Sequence, residues 1–75
     1  MVRLSEEQQA RRLDASAMRQ RAVEIRLYLA SKEGKARMPA ERGEMRRLAD
    51  DLMAQAKAIT DQLPRADPWG NIIEG

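Results

Sequence analysis

A chain of 75 residues with neither cysteine nor histidine has no disulfide and none of the usual zinc ligands to staple it. Of its hydrophobic residues, 43% of the chain, 12 are alanine; the bulky core material is thin, and below roughly 80 residues such a core needs outside help, which leaves self-association. Net charge is only +2, but residues 1–47 hold 12 basic and seven acidic side chains while residues 48–75 hold two and five, an asymmetry that fits a polyanion-binding half or two helices that attract each other.

The first element is a helix over about residues 5–32. Ser5 with Gln8 three positions on forms a capping box, and Glu6 and Glu7 suit the positive end of the helix dipole. No proline or glycine follows until Gly34, which is expected at the C′ position, with Lys32 and Lys35 at the negative end of the dipole. A loop over about 33–38 leads to a second helix over about 39–63, opened by Pro39 and stopped by Pro64. So short a loop between long helices predicts an antiparallel hairpin, and the fold class is all-α.

Heptad spacing supplies the mating faces. Met45, Leu48, Leu52, Ala56, Ile59 and Leu63 form one stripe, with Ala49 beside it; Ala15, Met18, Ala22, Ile25 and Leu29 form the other. Folding at the loop sets Leu29 against Met45, Ala22 against Leu52, Met18 against Ala56 and Ala15 against Ile59. Small residues then face large ones, as interdigitation requires.

The first helix carries another seam. Leu13, Ser16, Gln20, Val23, Leu27 and Ala30 step by threes and fours on the side roughly opposite the hairpin contact. Scattered surface apolar residues are common, but the thin core favours a self-association seam that completes a helical bundle, with Ser16 and Gln20 fixing its register.

The tail, residues 64–75, holds the only tryptophan of the chain and its only Ile-Ile pair. Asp67-Pro68-Trp69-Gly70 fits a type I turn, with Asp first, Pro second and Gly fourth. Such a turn gathers Trp69, Ile72 and Ile73, either as a lid over Leu4 at the open end of the hairpin or as a docking peptide. The lid is favoured, because the first helix overshoots the second and leaves apolar surface within reach.

Catalytic chemistry has little to work with. The three serines have no histidine base, Glu6-Glu7 and Asp50-Asp51 point apart on their helices, and there is no glycine-rich phosphate loop. No catalytic residue, metal ligand or cofactor site is assigned. No stretch suits a bilayer span and the N-terminus lacks the apolar core of a secretory signal, so a soluble cytoplasmic protein is expected. The reading is a non-enzymatic protein–protein interaction module: a small adaptor, regulator, secretion-type chaperone or phage or virion assembly component, whose partners are a second copy and another protein. The alternative is an RNA- or DNA-binding regulator that uses an arginine stripe, Arg12, Arg19 and Arg26, with Arg42 and Arg46 at the loop end.

Overall fold

Residues 2–73 are described by the computed structural model of the chain. Three helices follow in order: α1, Glu6–Ala30; α2, Lys32–Lys35; and α3, Pro39–Asp61. The protein is all-α, with α1 and α3 packed as a two-helix hairpin. It is a rod of 51 × 22 × 18 Å.

Helix α1 starts where the capping box places it. The Ser5 hydroxyl accepts the Gln8 N–H at 3.1 Å, and the Gln8 side-chain oxygen accepts the Ser5 N–H at 2.9 Å. Two of the orphan donors at the helix start are satisfied in this way.

The end of α1 differs from expectation. The helix stops at Ala30 rather than continuing to Lys32, because Ser31 turns extended at ψ 165°. Ser31 is what makes the break: its hydroxyl donates to the Tyr28 carbonyl at 2.5 Å and accepts the Gly34 N–H at 3.1 Å, so it closes one helix and caps the next. A serine offers the backbone such alternatives to a continuing helix. Gly34 is therefore no C′ residue. It lies inside α2 without a positive φ, and it is needed because a β-carbon there would collide with the Tyr28 carbonyl.

Three arginines of α1 reach across to α3 or to the residue just past it. Arg11 donates to the Gln62 side chain at 2.7 Å, Arg19 to the Thr60 hydroxyl at 2.6 Å, and Arg26 to Asp50 at 3.1 Å. Arg11 and Arg26 find partners within two residues of the register read from the apolar stripes, while Arg19 reaches five residues beyond it, about one and a half turns.

The contact line is made of alanines. Ala22, Ala49 and Ala56 are fully buried, Ala15 nearly so, and Leu29 and Leu4 complete the core. Met18, Ile25, Met45, Leu52, Ile59 and Leu63 flank this line half-buried. Leu48 departs from its expected place: it is 49% exposed, and Ala49 takes the centre. Neighbouring helical residues differ by about 100°, so only one of the two can face α1. The small side chain there lets the backbones approach, with larger neighbours sealing the flanks.

Candidate interaction surfaces

The tail turns back on the N-terminal segment through backbone pairing. Isolated antiparallel bridges link Arg3 with Asn71 and Ala66 with Ile72. The Leu4 N–H donates to the Gly70 carbonyl and the Ile72 N–H to the Val2 carbonyl, both at 2.9 Å, while the Ile73 N–H donates to the Arg65 carbonyl at 2.8 Å. Residues 70–73 thus lie between residues 2–4 and 65–67.

The Asp-Pro-Trp-Gly turn forms as its residue types require. The Gly70 N–H donates to the Asp67 carbonyl at 3.0 Å, and the Asp67 N–H to the Asn71 carbonyl at 2.9 Å. Gly70, at φ 86°, follows the turn in the left-handed region, the three-residue hairpin loop closed by a glycine bulge. The Asp67 carboxylate accepts the Trp69 and Asn71 N–H groups at 3.0 and 2.9 Å. The hydrogen bond from Asn71, foremost, holds the Asp67 carboxyl below its usual pKa, and nearby Arg12 adds a smaller lowering. A carboxylate with a depressed folded pKa contributes stability above its unfolded pKa, and that contribution fades as pH falls through the folded value.

This arrangement covers Leu4, which is buried at 7% exposure, as the lid reading expects. The tryptophan, however, takes no part in the cover. Trp69 is 73% exposed and Ile73 53% exposed, while Ile72 is half-buried. Trp69 occupies the tip of a turn whose backbone is tied down at every side, so its ring is carried outward. Gly70 and Ile72 instead carry the backbone pairing that ties the tail to the Leu4 segment. Arg3 locks the tip further, with its guanidinium donating to the Trp69 carbonyl at 2.7 Å. No local signal marks Arg3 or Val2, since their roles depend on a segment nearly the whole chain away.

Gly70 is the residue on which the turn depends. We expect Gly70→Ala to lose about 1–2 kcal/mol, the usual penalty for an L-residue in left-handed backbone. Its β-carbon would also meet the flexible Gln9 side-chain amide, which can move aside. Denaturant unfolding reads the loss, and hydrogen exchange should show the Leu4 and Ile72 amides opening; an unchanged midpoint with both amides still protected would refute this account of the turn.

The second seam of α1 is uncovered. Leu13 is 69%, Val23 43% and Leu27 66% exposed, and Ser16, Gln20 and Ala30 are exposed beside them.

The arginine stripe is largely occupied within the chain. Arg19 and Arg26 are bonded to Thr60 and Asp50, and Arg12 sits beside the Asp67 turn. At the closed end, Arg42 donates at 3.4 Å to the Leu29 and Lys35 carbonyls. A depression of about 330 Å³ there is lined by Lys35, Arg37, Pro39, Arg42, Gly43 and Arg46. Arg37 is held by the Tyr28 hydroxyl at 2.8 Å and by Glu41 at 3.3 Å.

Among the described residues, no cluster of acidic side chains is arranged to hold a metal ion, and no helix is long and apolar enough to cross a membrane. No protein-family model, curated protein or solved structure matches this chain.

Proposed function

We propose that this chain is a non-enzymatic protein–protein interaction module that works through an exposed helix face and a rigidly presented tryptophan, in the manner of a small adaptor, regulator, secretion-type chaperone or assembly component. The observation that carries the reading is Trp69. A solvent-facing indole on a turn fixed by Asp67, Gly70 and Arg3 has already given up its backbone freedom, so ordering it in a complex costs little more. Tryptophan is also the side chain most enriched at the energetic centres of interfaces, where it buries about 150–250 Å². Val2 and Ile73, both exposed, add apolar surface on the neighbouring segments.

The test is affinity capture from native lysate with and without nuclease, by wild type and by Trp69→Ala. A nuclease-resistant partner lost by at least tenfold in the variant is the expected result. Nuclease-sensitive capture that is indifferent to Trp69 would overturn it. That outcome would favour nucleic-acid binding at the closed end, where Lys35, Arg42 and Arg46 surround the depression.

A further inference from the structure

Three features of the rod bear on what covers its second apolar seam. The first is area. The chain exposes 5985 Å² at a mass of 8.5 kDa, whereas a compact monomer of that mass exposes about 4,700 Å². The excess, roughly 1,300 Å², exceeds the ~800 Å² that each partner contributes to a standard interface. Among the described residues, no side chain larger than alanine is fully buried in the single chain, so nearly all their bulky apolar groups still face water in part.

The second feature is the distribution of charge along the rod. The closed end, residues 26–50, carries seven basic and four acidic side chains. The open end, residues 1–14 and 61–75, carries four basic and six acidic ones. Each rod is positive at one end and negative at the other. Two rods side by side attract when they run antiparallel and repel when they run parallel.

The third feature is the order of residues within the seam. Reversed against itself, the series pairs Leu13 with Ala30, Ser16 with Leu27 and Gln20 with Val23. The Leu13–Ala30 and Ser16–Leu27 layers then set a larger residue against a smaller one, as interdigitating helices favour, and Gln20 lies beside the axis. Run parallel, the same seam would stack Leu13 on Leu13, Leu27 on Leu27 and Ala30 on Ala30, large on large and small on small. The flanking arginines do not prevent the reversed pairing. Arg19 and Arg26 are drawn towards α3 by Thr60 and Asp50, away from the seam.

From these features we infer that the α1 seam is the contact of a second copy of this chain, packed antiparallel about a two-fold axis that passes between Gln20 and Val23. The product is a four-helix assembly of two hairpins with α1 inside and a Trp69 turn at each end. The inference rests on the interaction-module reading and assigns one of its two surfaces to self-association, which leaves the Trp69 turns free for another protein.

The absence of cysteine from the chain makes orientation directly measurable. Leu13→Cys and Ala30→Cys are prepared separately, both at exposed positions that leave the hairpin contact untouched. Under mild oxidation neither variant alone should form a disulfide dimer, but an equimolar mixture should form the mixed dimer in high yield. Sedimentation equilibrium should return twice the chain mass for wild type and the single-chain mass for Val23→Glu with Leu27→Lys, with helix content unchanged by circular dichroism. Self-cross-linking of Leu13→Cys without mixed product would overturn the antiparallel arrangement. A wild-type monomer at high micromolar concentration would overturn the dimer altogether. A monomer that still loses its foreign partner through Trp69→Ala would leave the interaction-module reading standing while refuting this inference.

Discussion

Ala22→Leu is expected to destabilise the hairpin by about 3 kcal/mol, the upper part of the range for forcing extra methylenes into a closed contact. Ala22 is at 0% exposure, as are Ala49 and Ala56 across from it. Alanine here is the spacer that sets how near the two backbones come. A leucine at the same point has no vacant volume to enter, and the helices must part along their length. That separation strips the half-buried Met18, Ile25, Leu52 and Ile59 of their neighbours. Total stability for a chain this size is on the order of 4–11 kcal/mol, so a loss of this magnitude is a large fraction of it. By contrast, Leu52→Ala removes a side chain that is only partly covered and should lose about 1–2 kcal/mol, below the cost of emptying a sealed core position. Denaturant midpoints with equal slopes give both values. An Ala22→Leu protein as stable as wild type would mean that α1 and α3 do not meet through their alanines.

The second large effect concerns two glycines whose substitutions should act in opposite directions. Gly34→Ala is expected to lose about 2–3 kcal/mol, because the new β-carbon overlaps the Tyr28 carbonyl and crowds the Leu29 α-carbon. These are backbone atoms, which cannot step aside as a side-chain tip can. The α2 turn must lift from the end of α1, and the Ser31 cap and the Arg42 contacts with the Leu29 and Lys35 carbonyls go with it. At Gly43 a β-carbon meets nothing within 4 Å. Gly43→Ala should therefore stabilise the protein by about 0.5–1 kcal/mol through helix propensity alone. Thermal melts of the two variants beside wild type decide the matter. Shifts of the same sign would refute the close approach of α2 to α1.

How much of this could be read from residues alone follows from the range of the forces involved. The start of α1 was legible because Ser5 and Gln8 act within one turn. The hairpin was legible because the stripes on the two helices are periodic over many turns and one loop joins them. The turn at Asp67 was legible for the same reason: its demands on residue type are local. The break at Ser31 was missed because serine within a helical pattern has two competing uses, and only the packing of α2 against Tyr28 decides between them. Gly34 is special because α2 comes close to Tyr28, and not because its backbone is left-handed. A glycine marks either a backbone twist or a close approach, and the packing around it decides which.

The candidate surfaces divide in the same way. The exposure of Leu13, Val23 and Leu27 follows from arithmetic on a helix that has a single partner. The outward position of Trp69 does not, because it depends on residues 70–73 pairing with residues 2–4. That pairing leaves no period or spacing in the chain. Bulk apolar character at Trp69 suggested burial, and the backbone ties of the turn determined otherwise.

The contact between Arg3 and Trp69 spans 66 residues, and that distance along the chain has a consequence for the order in which the protein assembles. In an unfolded chain, bringing these residues together would restrict a loop of nearly the whole molecule. Once α1 and α3 have zipped together, the open end of the hairpin already holds residue 61 near residue 11, and only about ten residues of slack remain to be closed. Because closure entropy scales as (3/2)RT ln n, the restriction falls by about 1.7 kcal/mol. The meeting of the two chain ends is therefore a late event that the hairpin makes affordable: the clasp records that the rod has formed, and takes no part in starting it.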